Sequence, residues 1–248
     1  MAASTHKTKG IVLRAVKYGE TSLIVSIYTE LFGLQSYLVN GIRVATRKGG
    51  GSANHFQPAA MLDLVVYHND LKNLQRIKEF QWAFMYQHIL FDVIKNSVAL
   101  FMIELLQKTI KEPESNPDLF YFIEDALIHL DESEAAVVAN FPLFFAAHLT
   151  NFFGFRISDE YGERNTILDL QEGAFTKERP LHPHVLEEPY SHLVSQILRT
   201  QQPHELKEIR INQEKRRILM QALEVFYKLH IQEFGSMKTL TILPEILS

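Results

Sequence analysis

The chain is 248 residues long, enough for one or two domains, and its 46% hydrophobic and 22% charged content can supply buried cores under a polar surface. It has no cysteine, which excludes a disulfide framework, a thiolate nucleophile and a cysteine-ligated zinc and fits a reducing, cytoplasmic compartment. The net charge is −4, yet residues 1–80 carry ten Lys/Arg against five Asp/Glu, leaving +5 there and −9 in residues 81–248. That asymmetry points to a polyanion-binding module joined to a part with another task; uneven scatter over two solvated surfaces would look the same.

The amino-terminal "MAASTHKTKG" has no apolar run and does not read as a secretory signal. Strand-like texture follows. "GIVLRAVKYGE" is rich in β-branched residues and ends at Gly19. In "TSLIVSIYTE", Leu23, Val25 and Ile27 alternate with Ile24, Ser26 and Tyr28, the period of two expected of a strand. "TELFG" predicts a turn closing on Gly33, and "LQSYLVN" a third strand. The stretch "NGIRVATRKGGGSANHFQP", residues 40–58, then gathers Arg43, Arg47 and Lys48 around three glycines, with no acid between Leu31 and Leu62. A fourth strand is predicted in "AAMLDLVVYHN" and a fifth in "LKNLQRIKEF". Five strands with one long connection between the third and fourth suit a small barrel of the OB type.

After residue 80 the apolar period becomes helical. Trp82, Met85, Tyr86, Ile89 and Val93 predict one helical face, and Val98, Phe101, Met102, Leu105, Leu106 and Ile110 the next. Asn116, Pro117 and Asp118 form a helix start, with cap, first-turn proline and dipole-matched acid. The most apolar window, residues 137–155, contains Asn140, Pro142, His148 and Asn151 and reads as a buried core helix, not a membrane span. Residues 156–186 lack periodicity and are expected to be an irregular insert. Helices resume in "PYSHLVSQILRT" and after Asn212. The expected architecture is therefore α+β: a β-barrel domain over residues 1–80 and a helical domain over 81–248.

No constellation in the sequence argues for an enzyme. Gly49-Gly50-Gly51 is followed by Ser52-Ala53, without the lysine of a phosphate-binding GxxxxGK(S/T) loop, and there is no GxSxG nucleophile elbow. His182-Pro183-His184 lies near Glu187 and Glu188, but the spacing matches no metal motif and the glutamates fit a helix start. Neither a metal nor a cofactor is expected. The basic barrel has the better physical account, because single strands are held by a positive groove along the phosphates and by aromatic rings stacked on bases. Arg14, Lys17, Arg43, Arg47, Lys48, Arg76 and Lys78 are the candidate phosphate contacts. Among Tyr18, Tyr28, Tyr37, Phe56 and Tyr67, position favours Tyr37 and Phe56 as stacking platforms, while barrel cores also need aromatics. Nothing suggests base-edge readout, so binding is expected to be independent of sequence.

The run "GIVLRAVKYGETSLIVSIYTELFGLQSYLVNGIR", with Tyr18-Gly19-Glu20, Thr29-Glu30 before Gly33, Gly41, Arg43 and Gln57-Pro58, resembles the opening of the RecO family of bacterial DNA repair and recombination-mediator proteins. The resemblance continues through "EPESNPDLF", "LTNFFGF" and the terminal "YKLHIQEFGSMKTLTILPEIL", the last similar to Bacteroidetes-type members. It implies an amino-terminal OB fold and a helical carboxy-terminal domain. It also implies binding of single- and double-stranded DNA and annealing of complementary strands. Partners implied are RecR, the C-terminal tail of single-strand DNA-binding protein (SSB) and, indirectly, RecA, which would be loaded onto SSB-coated DNA. Lys215, Arg216 and Arg217, beside an apolar helix face, are candidates for holding the acidic, apolar SSB tail. Many members carry a four-cysteine zinc site in the insert; this chain cannot. Two rival readings stay open: an OB-fold protein acting on RNA in translation, and a protein-interaction scaffold.

Overall fold

The computed structural model describes residues 4–42 and 52–247, and its first five elements are strands: β1 (Ser4–Tyr18), β2 (Ser22–Thr29), β3 (Gly33–Val39), β4 (Met61–His68) and β5 (Gln75–Phe84). They close into a barrel in the order β1-β2-β3-β5-β4, with β1 pairing antiparallel to both β2 and β4 and a short parallel seam between β3 and β5 at Tyr37↔Gln75 and Leu38↔Arg76. That order, with the long connection after β3, is the OB arrangement expected from the sequence.

Alternation explains the core. Val12, Val25, Ile27, Tyr37, Val39, Leu62, Leu64 and Val66 point inward and pack with Ile42, Phe56 and Ala60, each large side chain contributing roughly 1.5–3 kcal/mol by burial. Gly10 stands where the closing sheet is tightest: a Cβ there would lie 2.6 Å from Ile27 Cγ2 and 2.9 Å from Leu64 Cδ1. β1 begins earlier than its apolar pattern shows, because the polar run Ser4–Lys9 is held by pairing with β4 from His68 to Asp63. The predicted turn before Gly33 is built by Thr29, whose hydroxyl donates to the Gly33 carbonyl (2.9 Å) and accepts from the Phe32 N–H (3.1 Å).

The helix expected to start at Trp82 is instead the end of β5: Trp82 pairs with Leu62 and Phe84 with Met61. Phe80, Trp82 and Phe84 alternate with period two, and cross-strand packing on β4 decided between that and the coincident helical spacing. The first helix, α1 (Val93–Thr109), starts where Asp92 Oδ1 accepts from the Ile94 and Lys95 N–H groups at 2.8 and 3.1 Å. Asn116 caps α2 (Pro117–Glu132) as expected, its Oδ1 accepting from the Leu119 N–H at 3.0 Å.

The chain divides into two compact units, one of residues 1–87 with 110–128 and one of residues 88–109 with 129–248. In the first, the segment before α2 and the helix's first turns lie on the barrel. The Tyr28 hydroxyl, buried and with its pKa pushed up to about 12 by that burial, donates to the Asn116 carbonyl. Ser115 Oγ donates to the Glu30 carbonyl (2.9 Å), Lys9 pairs with Glu124 (2.8 Å), and the Phe120 ring packs 6.2 Å from that of Tyr28.

The second unit contains α1, α3 (Ala135–Val138), α4 (Phe141–Leu149), α5 (Tyr190–Arg199), α6 (Gln213–His230) and α7 (Thr239–Ile246). α4 is the buried helix expected in the apolar window, and its polar residues are satisfied there. Asn140 Nδ2 donates to the Leu206 and Ile209 carbonyls, and His148, its pKa lowered by burial, bonds the Ile197 carbonyl. Asn212 caps α6 by accepting from the Lys215 N–H at 2.9 Å. The irregular insert contains a small sheet in the order β7-β6-β8, formed by β6 (Ile167–Asp169), β7 (Ala174–Thr176) and β8 (Val185–Leu186). These strands are too short for a period to show in the sequence. Among the described residues no helix is long and apolar enough to cross a membrane.

Candidate nucleic-acid interface

A bulge at Leu13 sets the exposed face of the barrel. Pairing steps from Val12↔Ile27 to Arg14↔Ser26, so beyond it Arg14, Val16 and Tyr18 face outward opposite Ser26, Ile24 and Ser22. β3 continues the surface with Ser36 opposite Ser26 and Leu38 opposite Ile24, and the parallel seam places Arg76 beside Leu38. Arg76 in turn lies opposite Tyr67 on β4. One transverse row therefore runs Val16–Ile24–Leu38–Arg76–Tyr67 across all five strands. Arg14, Ser26 and Ser36 flank it on one side and Tyr18 and Ser22 on the other.

This face is open. Tyr18 is 55% exposed and Val16 44%, Arg14 and Arg76 are exposed, and Tyr67 is partly so. At its β5 end lies a groove of about 560 Å³ lined by Leu38, Tyr67, Leu74, Arg76 and Lys72. A second groove of about 460 Å³ follows Leu34, Gln35 and Ser36 of β3 and shares Lys72 with the first. Cations at the edges, an apolar floor and hydroxyls between them suit a polymer with a charged backbone and flat apolar rings.

The sequence-predicted residues divide. Arg14 and Arg76 belong to this face. Lys17, opposite Leu23, is exposed at the end of β1, one residue from Tyr18. Lys78 is exposed at the β4–β5 bulge, its Nζ 3.4 Å from Glu79, and stands outside the transverse row. Arg43, Arg47 and Lys48 lie outside the described residues. Tyr37 and Phe56 are corrected: at 0% and 1% exposure both are core residues and offer no ring to a base. Tyr37 lies opposite Val25, an inward position, and burial raises the pKa of its phenol. Of the tyrosines on the barrel strands, Tyr18 is exposed and Tyr67 partly so. Lys72 had no sequence signal beyond its charge.

In the helical unit, Arg216 is also corrected. It is buried, and its guanidinium donates to Asn140 Oδ1 (3.3 Å) and to the Leu247 and Ile211 carbonyls (3.0 and 3.1 Å), which removes it from any partner. Lys215 and Arg217 remain accessible, and Arg217 borders a shallow apolar depression of about 10 Å³ formed by Met220, Leu240, Leu243, Pro244 and Leu247.

The zinc associated with the insert by resemblance does not fit this chain. The cysteines are missing, and the acids nearest His182 and His184 are engaged: Asp169 accepts from the Gln171 and Glu172 N–H groups and sits 3.3 Å from His182, Glu187 pairs with Arg179, and Glu188 accepts from the Tyr161 hydroxyl. Among the described residues no three His, Asp or Glu side chains converge to hold a metal.

A closed five-stranded barrel with a cationic, tyrosine-bearing outer face, followed by a helical unit, defines a protein of OB-type architecture. Family models place it further: the chain matches the recombination protein O N-terminal model over residues 1–86 and the C-terminal model over residues 90–239, so it belongs to the RecO family of DNA repair proteins. It is 33% identical over 240 residues to "DNA repair protein RecO" of Christiangramia forsetii, covering 96% of this chain and 98% of that one. The same-named protein of Flavobacterium johnsoniae is 32% identical over 247 residues, covering 98% and 99%. That of Porphyromonas gingivalis is 26% identical over 245 residues, covering 97% of each.

Proposed function

We propose that the protein binds single- and double-stranded DNA through the outer face of its barrel without reading sequence, and anneals complementary strands. Together with RecR it helps load RecA onto SSB-coated DNA. The observation that carries the reading is the transverse row with Arg14, Tyr18 and Arg76 around it. Bringing two polyanions together requires lowering their repulsion, and Lys/Arg side chains do so by releasing counterions. Tyrosine faces hold bases of any identity by stacking. The action needs no covalent step, so it is binding and not enzymatic, and its place is the bacterial cytoplasm at the nucleoid. In the helical unit, Arg217 beside the Met220–Leu243 depression, with Lys215 two residues away on the same helix, is the candidate contact for an acidic, apolar SSB tail.

The test is affinity for an oligo-dT strand as potassium chloride is raised. Engagement of about three to five phosphates gives a log–log slope of roughly −2 to −3.5. The Arg14→Ala, Arg76→Ala double variant should flatten that slope by about 1.4 and weaken all sequences alike. A flat salt dependence in the wild type overturns the electrostatic account. Tighter binding of an RNA oligonucleotide of the same length would favour an RNA-binding role.

A further inference from the structure

The loop between β4 and β5, residues 69–74, holds Leu71 at 94% exposure. One exposed leucine is ordinary in a protein surface. This one differs in how it is presented. Its own N–H donates to Asn69 Oδ1 (2.9 Å), and the Lys72 N–H donates to the Asn69 carbonyl (3.0 Å). Beneath the loop, Gln75 is only 3% exposed and spends its whole amide on it. Its Nε2 donates to the Asn69 and Lys72 carbonyls (2.9 and 2.5 Å), and its Oε1 accepts from the Asn69 N–H (3.1 Å). At the loop's base, His68 bonds Asp70 (2.8 Å) and stacks on Phe32 at 3.9 Å between centroids. The backbone of the turn is thus clamped, and it presents the leucine side chain to water at its tip.

Its position gives it a ligand class. Asn69, Lys72 and Leu74 of the loop line the groove that contains Tyr67 and Arg76, at the β5 end of the proposed DNA-facing surface, and Leu71 stands between these wall residues at the groove's rim, outside its lining. A branched aliphatic side chain has no π face and cannot replace a stacking tyrosine. It can enter between two bases, or cover the apolar face of a terminal base pair, as leucine wedges do in proteins that unstack DNA. Holding the wedge rigid before binding removes the entropy cost of ordering it.

We infer that Leu71 is a preorganised wedge that separates stacked bases where a strand held on the barrel passes from single strand into duplex. The inference rests on the DNA-binding reading above and adds a site to it. It assigns to the loop the handling of junctions, which form and advance whenever two strands anneal.

The experiment uses the full chain and forked DNA carrying 2-aminopurine at the first paired position, with oligo-dT as a second ligand. Wild-type protein should raise the 2-aminopurine fluorescence on binding. Leu71→Ser, a change at a solvent position, should lose about two-thirds or more of that rise while keeping oligo-dT affinity within about twofold. Leu71→Met should restore it. Gln75→Ala, which keeps the leucine and releases the clamp, should also reduce it. An undiminished rise in Leu71→Ser, or equal loss of fork and oligo-dT affinity, overturns the wedge. Failure of the wild type to bind oligo-dT would instead sink the underlying DNA-binding reading.

Discussion

Tyr18 and Tyr37 are both strand residues of one barrel, and the pleat sends them to opposite sides of it. Tyr37 fills the interior opposite Val25, whereas Tyr18 stands in solvent beyond the β1 bulge. Their substitutions should therefore separate stability from binding. Tyr37→Ala is expected to cost about 3–5 kcal/mol in a denaturant melt through the cavity it leaves. Tyr18→Ala should stay within about 0.5 kcal/mol of the wild type yet weaken oligo-dT binding by roughly 5- to 100-fold, the loss of one stacked base. Wild-type affinity in Tyr18→Ala would remove Tyr18 from the stacking surface and leave Tyr67 as the remaining tyrosine on this face. The five candidate aromatics of the sequence include Tyr18 and Tyr67, but position in the sequence favours Tyr37 and Phe56, both of which are buried. Leu34 and Leu38 face outward on β3 and blur its alternation, and the bulge shifts the parity of β1 without a sequence mark. Arg216 was misread for a related reason: a charge in a helix's first turn looks solvated until Asn140 and two carbonyls are found around it.

At the scale of elements, caps and turns were the most legible features. Asn116 and the Thr29–Gly33 turn work as their residue types require, because each is a local interaction within a few residues, and Asn212, read from the sequence only as the point after which a helix begins, caps that helix. Gly33 also has a duty that its turn does not reveal. Its φ is +59°, and a Cβ added there would stand 2.1 Å from the Glu114 carbonyl oxygen, in the segment leading to α2. Gly33→Ala therefore combines a left-handed backbone with a backbone collision and is expected to destabilise the protein by about 2 kcal/mol or more. Thermal unfolding is the measure, and a melting temperature equal to that of the wild type would show that the close approach is not maintained in solution. The end of β5 was illegible for a different reason. Spacings of three, four and seven occur by chance in a strand rich in aromatics, and only pairing with Leu62 and Met61 decided the period.

For the whole molecule, the notable fact is that the barrel's compact unit takes residues 110–128 from beyond α1. Tyr28 and Phe120 shield each other there, at 1% exposure each, and Lys9 finds Glu124. A fragment of residues 1–87 would expose that surface and leave Lys9 unpaired. It is expected to melt well below the full chain, by several degrees or more for a loss of about 2 kcal/mol, as followed by circular dichroism. A fragment as stable as the full chain would show the barrel to be self-sufficient.

What the sequence determined alone is what local chemistry and period can write: five strands followed by helices, the cap at Asn116, a buried helix within residues 137–155, and an excess of cations near the amino terminus. The tertiary structure decided which of those residues meet. Side-chain direction in a closed barrel depends on bulges and on partners far along the chain, so Tyr18, Arg76 and Tyr67 become one surface only when β1, β5 and β4 are in register. The clamped loop carrying Leu71 belongs to the same category, since the amide of Gln75 acquires its meaning only beneath a turn that the sequence could mark but not shape.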